Sequence, residues 1–477
     1  MIFNSIQYLI FLPTVFLLYW FVFNKTIKLQ NFLLLVVSYI FYGWWDWRFL
    51  SLIIFSSIID FYCGIFIEKT NQKKDKKKWL TLSMLINLGF LGVFKYFNFF
   101  SNSLKEGLLS LGYQIDTLTL DIVLPVGISF YTFQTMSYTI DVYRGQLKPT
   151  KDPIAFFSFV SFFPQLVAGP IERATNLLPQ FYTKRTFDLE KAKDGLRQIL
   201  WGLFKKIVIA DNCAIIVNEV FDSYTDFNSS TLFIGALFFA FQIYGDFSGY
   251  SDIAIGTARL FGFNLMQNFA FPYFSRDIAE FWRKWHISLT TWFRDYVYIP
   301  LGGSRGGVWM KVRNTFIIFI VSGFWHGANW TFIIWGLLNA LYFLPLLLLN
   351  KNRVNTNAIA SNSIFVEPKE FIKIILTFFI TLIAWIFFRA PNVHSAFSYI
   401  KNMISSSIIS VPEVSLKPLV FIIVLVIVEW FQRNNKHGLY MNELKMNKFS
   451  RWLIYYILII IIFWFGAEKQ EFIYFQF

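Results

Sequence analysis

Long apolar stretches recur along this chain and limit the architectures open to it. They lie at residues 9–23, 32–42, 50–67, 80–94, 231–243, 315–324, 331–349, 371–388, 419–428 and 452–465, and broken ones lie at 122–140 and 154–167. In lipid, only helices and closed barrels satisfy the backbone hydrogen bonds. None of these stretches shows the alternation of a barrel strand. The sequence therefore predicts an all-α, polytopic integral membrane protein with about ten to twelve transmembrane helices plus re-entrant or interfacial helices.

Composition supports this class, because 56% of the 477 residues are hydrophobic and soluble domains are less apolar. Residues 1–8 contain no Lys or Arg and no small-x-small cleavage site follows, so we expect the first run to stay as a span. Cys63 and Cys213 imply neither a disulfide framework nor a thiolate metal site. We attribute the net charge of +14 to basic loops and anionic lipid in the bilayer, and expect no nucleic-acid partner.

Charged loops give an orientation. The run NQKKDKKK at 71–78 follows the third apolar stretch and is predicted to be cytoplasmic. Basic connections at 351–357, 433–436 and 445–451 orient the last stretch outward. We therefore expect both termini outside the cytoplasm, one membrane domain over 1–477, and an extracytoplasmic aromatic tip at 466–477.

Ionisable residues inside apolar sequence are costly, so they point to function. His326 lies in FIIFIVSGFWHGANWTFIIWG, thirteen residues after Arg313. On a helix this spacing places the imidazole roughly 20 Å from the cytoplasmic edge, beyond the middle of a ~30 Å core. Small neighbours leave room for another helix or a long ligand. The alternative is a structural histidine, satisfied by a backbone carbonyl or by Asn329.

His286 lies in the segment 275–307, which mixes tryptophans with arginines and lysines. This segment is too charged to span and too aromatic for an ordinary loop, so it predicts an interfacial or re-entrant helix. An aromatic belt with snorkelling basic residues is the alternative. Its spacing from His326 does not match a zinc site, so we expect no metal. His394 and His437 fall in loops and are expected to be solvated.

A further polar cluster lies in FQIYGDFSGYSDIAIG, where Asp246, Ser248 and Asp252 interrupt an apolar run. Taken alone, it fits an ion pathway or a network of helix-capping hydrogen bonds.

Four segments together resemble the membrane-bound O-acyltransferase family. They are FFPQLVAGPIERA (162–174), YGDFSGYSDIAIGTARLFGFNL (244–265), FWRKWHISLTTWFRDYVYIPLGGSRGG (281–307) and GFWHGANWTFIIWG (323–336). The bacterial branch that they resemble contains alginate and peptidoglycan O-acetyltransferases and the D-alanyl transfer protein of teichoic acids. The resemblance implies a curved helical wall, thinned at its centre, with a tunnel through it, in the bacterial cytoplasmic membrane.

The resemblance also assigns residues. It implies that His326 is catalytic, that His286 is a second catalytic residue across the same tunnel, and that Asp246 and Asp252 brace the wall. The substrate-binding residues expected around the histidines are Trp285, Arg283, Lys284, Arg294, Asp295, Arg305, Trp325 and Asn329. The basic side chains among them are expected to hold the phosphates of coenzyme A.

The activity implied is transfer of an acetyl group from a cytosolic thioester, expected to be acetyl-CoA, with no permanently bound cofactor. The acceptor would be an extracytoplasmic polysaccharide, reached through an extracytoplasmic partner of the SGNH type. Alginate, peptidoglycan, another exopolysaccharide and teichoic acid remain open as polymers. The alternatives are D-alanyl transfer, a lipid or sterol acceptor, and a transporter or exporter that uses the membrane-embedded His and Asp residues.

The chain stops on EFIYFQF, and the pattern F-x-Y-F-x-F recurs at the end of members of this branch. Nine residues separate Phe465 from Tyr474, up to roughly 30 Å of extended chain, enough to fold back toward His326. A phenol with a pKa of about 10 is easier to deprotonate than a sugar hydroxyl. We therefore expect Tyr474 to be a third catalytic residue, a transient acetyl carrier. An aromatic anchor at the interface is the alternative.

Overall fold

The structure is a computed structural model that describes residues 1–121, 123–405, 410–441 and 446–473. No β-strand occurs within these ranges, and the predicted all-α class is confirmed. The α-helices are α1 (Ile6–Leu17), α2 (Ile27–Gly43), α3 (Leu50–Lys69), α4 (Lys73–Leu91), α5 (Phe97–Ser110), α6 (Ile128–Tyr143), α7 (Pro153–Ser161), α8 (Ala174–Leu177), α9 (Leu189–Leu203), α10 (Asp211–Asp222), α11 (Ser229–Leu260), α12 (Ile278–Lys284), α13 (Ile287–Phe293), α14 (Gly307–His326), α15 (Trp330–Leu348), α16 (Pro368–Arg389), α17 (Val393–Ser405), α18 (Lys417–Gln432) and α19 (Lys448–Phe465).

Shorter helical segments join several of these helices. π-helical turns follow α1, α4, α9 and α13 at Leu18–Val22, Gly92–Tyr96, Phe204–Ala210 and Arg294–Tyr298, and 3₁₀ turns lie at Trp47–Phe49, Leu178–Phe181 and Pro272–Phe274. We call Phe204–Ala210 the π segment.

Within the described residues, six helical stretches are long and apolar enough to cross a membrane. They are Trp47–Lys69, Lys73–Ser110, Ser229–Leu260, Trp330–Leu348, Pro368–Arg389 and Lys448–Phe465, and two shorter apolar helices lie at Ile6–Val22 and Ile27–Gly43. The chain is therefore a multi-pass membrane protein. About ten to twelve spans were predicted, and the broken apolar runs account for part of the difference, because they form α6 and α7, of only 16 and 9 residues.

The chain divides into two compact units. The first comprises residues 1–192 and 257–265. In it, α3 packs against α4 and α6, and α2 packs against α7. A buried carboxylate on α3, that of Asp60, accepts hydrogen bonds from Ser83 and Asn87 on α4. Polar residues inside the apolar helices of this unit thus satisfy one another.

The second unit comprises residues 193–256 and 266–477. Its largest hydrophobic cluster collects side chains from α10, α11, α12, α15, α16 and α18 together with the π segment. α14 and α15 pack side by side. This unit contains both histidines that the sequence analysis singled out.

Glycines allow α9 and α11 to approach closely. A Cβ atom on Gly249 would lie 2.7 Å from the carbonyl oxygen of Gly202, and one on Gly256 would lie 2.4 Å from that of Gly195. Contacts this short leave no room for a methyl group. The glycines of the polar cluster on α11 therefore set its distance from α9.

Gly249→Ala should lower the thermal stability of the purified protein, because its methyl group collides with backbone. Overpacking of this kind costs about 1–3 kcal/mol. Gly89→Ala on α4 is the matched control, since a Cβ atom there meets nothing within 4 Å and alanine favours a helix by roughly 0.5–1 kcal/mol. Unfolding temperatures in detergent measure both variants. Equal effects of the two substitutions would contradict the packing described for α9 and α11.

Candidate active site

His286 lies at the junction of α12 and α13 in a left-handed backbone conformation, with φ 43° and ψ 54°. A non-glycine residue in this region costs on the order of 1–3 kcal/mol and persists only where its surroundings hold it. Here Asn268 holds the turn. Its carbonyl accepts from the Ile287 amide at 2.9 Å, and its side-chain oxygen accepts from the Ser288 hydroxyl at 2.9 Å. The predicted interfacial segment thus folds as short helices broken at the histidine.

His326 is the last residue of α14, and α15 begins four residues later. The helix is continuous from Arg313 to His326, which is the geometry that the spacing argument assumed. A Cβ atom on Gly323 would lie 2.2 Å from the carbonyl oxygen of Phe332 on α15. The small residues near His326 therefore admit another helix, one of the two possibilities given by the sequence.

The two imidazole rings lie close together. Their centroids are 6.4 Å apart, and both side chains are buried, with 1% and 3% exposed. The indole ring of Trp325 lies 6.1 Å from His286 and 5.0 Å from His326. The structure thus brings together residues forty positions apart in the chain. In the part of the chain that is described, no group of three or more His, Cys, Asp or Glu side chains is placed to hold a metal ion.

Aromatic rings surround the pair. His326 lies 5.1 Å from the ring of Trp335 and 5.3 Å from that of Phe388, and His286 lies 4.6 Å from Phe247. Burial lowers the pKa of His286 to about 3. That imidazole is therefore neutral at pH 7 and can accept or donate a hydrogen bond in a site with little water.

The two tryptophans predicted to bind substrate differ in position. Trp325 lies against both histidines, as described above. Trp285 is 1% exposed, and its ring packs against Phe281, Phe269 and Trp385 at centroid distances of 5.5, 5.1 and 5.0 Å. Trp285 therefore belongs to the aromatic cluster behind His286.

Arg283 and Lys284 have protein partners. The Arg283 guanidinium donates to the carbonyl oxygens of Asn352 and Asn355 at 2.8 and 2.6 Å. The Lys284 ammonium lies 2.7 Å from Glu280. Both cations therefore hold the chain around α12, and their predicted contact with substrate stays a prediction.

The remaining predicted residues lie at exposed positions or in the turn after His326. Arg294 and Asp295 form an ion pair of 2.7 Å with 59% and 32% of their side chains exposed, and Arg305 is also exposed. The side chain of Asn329 caps the first turn of α15 and donates to the carbonyl oxygen of Pro391 at 2.9 Å. Asn329 thus fixes the chain just beyond the catalytic candidate. Substrate binding by these four residues stays a prediction.

The other two histidines have different environments. His394 is exposed, as predicted. The prediction for His437 is wrong, because its side chain is 2% exposed and its Nε2 atom lies 3.0 Å from a carboxylate oxygen of Asp194. The following Gly438 packs directly on the indole of Trp201, so this loop is folded into the protein.

A buried ionic cluster stabilises α12. The carboxylate of Glu280 is 1% exposed and lies 2.9 Å from Arg276 and 2.7 Å from Lys284. Arg276 also reaches Glu370 on α16 at 3.1 Å. Burial alone would raise the pKa of Glu280, but hydrogen bonds from Arg276 and the charge of Lys284 outweigh it and leave that pKa below its usual value.

A second buried ionic cluster joins α11 to the π segment. Lys205 lies 2.6 Å from Asp252, and Lys206 lies 2.7 Å from both Asp246 and Asp211. These pairs fit the bracing role that the resemblance implied for Asp246 and Asp252. The two lysines were not among the predicted site residues, although adjacent lysines inside the apolar run GLFKKIVIAD are themselves a sequence signal.

The chain beyond α19 returns to the protein interior. The backbone amide of Ile473 donates to a carboxylate oxygen of Asp246 at 2.7 Å. The ring of Phe472 lies 4.8 Å from that of Tyr250, and both Phe472 and Ile473 are buried. Tyr474, the predicted carrier, lies outside the described residues.

Several known proteins are similar in sequence to much of this chain. The family model of the membrane-bound O-acyltransferases matches residues 148–388, which include both buried histidines of the pair. The chain is 40% identical over 397 residues to the "Probable alginate O-acetylase AlgI" of Pseudomonas syringae pv. tomato, over 83% of this chain and 74% of that protein. It is 36% identical over 433 residues to the peptidoglycan O-acetyltransferase of Helicobacter pylori, over 85% and 80% of the two chains.

A more distant similarity is to the teichoic acid D-alanyltransferase of Bacillus subtilis. It is 29% identical to this chain over 228 residues, which cover 45% of this chain and 57% of that protein.

Glu280→Gln should make the unfolding temperature vary less with pH in the acidic range. The pKa of Glu280 in the folded protein is lower than its ordinary value of 4.5. The contribution of its ion pairs to stability is therefore present above pH 4.5 and is lost as the pH falls through the folded pKa. Breaking a buried ion pair costs about 3–5 kcal/mol. Unfolding temperatures in detergent between pH 7 and pH 3 should show a deficit of the variant at pH 7 that shrinks below pH ~4.5. Parallel curves would contradict this account.

Proposed function

The chain belongs to the membrane-bound O-acyltransferase family and is an O-acyltransferase, and from that premise we propose that it transfers an acetyl group for the O-acetylation of an extracytoplasmic polysaccharide. The observation that carries the site assignment is the buried pair of His286 and His326, with ring centroids 6.4 Å apart. The choice of an acetyl group rests on the two relatives named for O-acetylation, which match over 83% and 85% of this chain.

The donor in this proposal is a thioester, acetyl-CoA, supplied from the cytosol. Its carbonyl carbon is already activated, so the protein mainly needs a base, a fixed geometry and a dry site. His326 would take the proton of the attacking hydroxyl while the new C–O bond forms and the C–S bond breaks. The thiolate of coenzyme A then leaves and is protonated. His286, neutral because it is buried, would form one hydrogen bond that orients the reacting groups.

Binding of the donor phosphates is assigned to the basic residues near α13. Arg294 and Arg305 are exposed and suited to direct contact with phosphate. Arg283 and Lys284 already bind the backbone of 352–355 and Glu280. They would therefore shape the donor site through the chain that they hold.

The acceptor of the first transfer in this proposal is the phenol of Tyr474. Ile473, which precedes Tyr474 in the sequence, is buried and donates its amide to Asp246. A phenyl acetate is an activated ester, so its acetyl group can pass to a serine of an extracytoplasmic SGNH-type partner. That partner would then modify the polymer. The same proposal places the protein in the bacterial cytoplasmic membrane with both termini outside.

Other reactions are less well supported. The similarity to a D-alanyltransferase covers only 45% of this chain, so D-alanyl transfer is the second candidate. An ion relay through Asp246 and Asp252 is not favoured, because both carboxylates are paired with buried lysines.

His326→Ala should abolish acetyl transfer, because it removes the proposed base. General-base catalysis contributes typically ~10²–10⁴-fold. The measurement is release of coenzyme A from labelled acetyl-CoA by purified protein, together with acetylation of polymer in cells. His394→Ala is the control, since that side chain is exposed and should leave the rate unchanged. A folded His326→Ala protein with the wild-type rate would contradict the assignment of His326 as the base.

Tyr474→Phe should abolish polymer acetylation while it preserves expression and thermal stability, because it removes only the phenol oxygen. Mass spectrometry of the C-terminal peptide should find an added acetyl group in wild-type protein supplied with acetyl-CoA and none in the variant. Tyr440→Phe is the control for loss of a tyrosine hydroxyl elsewhere. Polymer acetylation near the wild-type level in Tyr474→Phe would show that the tip is an anchor.

A further inference from the structure

We propose that Lys206, Asp246 and Asp211 form a clamp that fixes the register of the C-terminal segment 466–473 as it approaches the histidine pair. They would be positioning residues for acyl transfer through the tip, so this inference rests on the proposed function. It assigns a role to a buried ionic cluster that the reaction itself does not use.

Hydrogen bonds tie the end of α19 and the segment that follows it to the rest of the second unit. The side-chain amide of Asn212 donates to the carbonyl oxygen of Phe465 at 2.9 Å, where α19 ends. The ammonium of Lys206 donates to the carbonyl oxygen of Gln470 at 3.3 Å. The carboxylate of Asp246 accepts from the amide of Ile473 at 2.7 Å. The contacts thus recur along the segment and fix where each part of it lies.

The chemistry of the cluster suits this task. An irregular chain that enters an apolar interior brings backbone groups that must find partners. Lys206 supplies a donor and Asp246 supplies an acceptor, and both side chains are at most 6% exposed. A backbone amide that donates to a carboxylate paired with a lysine forms a strong, charge-assisted hydrogen bond.

The clamp lies next to the candidate active site. Phe472 packs on Tyr250 at 4.8 Å and on Phe247 at 6.4 Å, and Phe247 packs on His286 at 4.6 Å. One aromatic ring therefore separates the segment from the first histidine. A slip of one residue would move the following residue by about 3.3 Å, which is as large as the distance between reacting atoms in a productive complex.

The neighbouring ion pair provides a matched control. Asp252 lies on the same helix and pairs with Lys205 at 2.6 Å, and its carboxylate also accepts from Gln198. Asp246 and Asp252 therefore share a helix, a charge and a buried lysine partner. They differ in that the carboxylate of Asp246 accepts the hydrogen bond from Ile473 in the C-terminal segment. Asp246→Asn and Asp252→Asn hence compare loss of the clamp with loss of a buried ion pair.

The first experiment measures the position of the segment without any reaction. Ile473 is 2% exposed, so Ile473→Cys in a chain with Cys63→Ala and Cys213→Ala should resist a maleimide in detergent. Adding Asp246→Asn should speed the labelling of the introduced thiol by ~10-fold or more. This corresponds to a decrease of about 1.4 kcal/mol or more in the free energy of opening the buried segment. Adding Asp252→Asn should leave the labelling rate unchanged.

The second experiment measures transfer through the tip. Asp246→Asn should lower polymer acetylation by ~10- to 100-fold, as expected for misplaced reacting groups. Release of coenzyme A should be restored by added 4-methylphenol, a small phenol that replaces the displaced one. Ile473→Pro, which removes the amide donor together with the buried isoleucine side chain, should reproduce the loss. Ile473→Ala, which shortens the side chain and keeps the amide, should lower polymer acetylation far less. A merely structural role would not be rescued by a phenol.

The outcomes separate this inference from the proposed function. Equal labelling of the Asp246→Asn and Asp252→Asn proteins, or full polymer acetylation by Ile473→Pro, would overturn the clamp. If wild-type protein releases no coenzyme A from acetyl-CoA, the proposed function fails, while the labelling contrast still decides whether Asp246 holds the segment.

Discussion

A charge in an apolar interior has to be paired, and in this protein that requirement joins α11 to the π segment. Lys205 and Lys206 are adjacent in the chain, and each reaches a different carboxylate of α11. Adjacent side chains on a regular α-helix point in different directions. In the π segment, whose turn is wider, both lysines face the same partner helix. Removing one member of such a pair is expensive because it leaves a buried charge behind. The glycines that let α9 approach α11 work with these pairs, since a wider gap would lengthen the ion pairs.

The sequence predicted the class of fold and the two central residues for related reasons. Apolar runs identify membrane helices because lipid offers the backbone no partners. A histidine inside such a run is informative because its position is costly, and this reasoning selected His326. His286 was selected by a segment that fitted neither a span nor a loop. Their proximity could not be derived from either segment alone. It depends on the turn held by Asn268 and on the end of α14, which are tertiary features.

The wrong prediction for His437 has a physical cause as well. His437 was expected in water because its neighbours in the chain are polar, whereas its buried position comes from Asp194, more than two hundred residues away. The predicted contact of Arg283 and Lys284 with phosphate stays a prediction, and charge alone does not show which cations already have protein partners. Local sequence reports composition and periodicity, and it does not report which distant backbone a side chain reaches. The carrier role predicted for Tyr474 falls outside the described residues and depends on experiment.

The contact between α14 and α15 has a mechanical consequence. Gly323 and Gly336 bring each helix against the backbone of the other, so neither helix can slide or rotate without a collision between main-chain atoms. Bilayers differ in thickness, and helices commonly respond by tilting. This pair should tilt as a single rod, which would carry His326 and the first turn of α15 together. The position of the imidazole relative to α15 would therefore stay the same in membranes of different thickness.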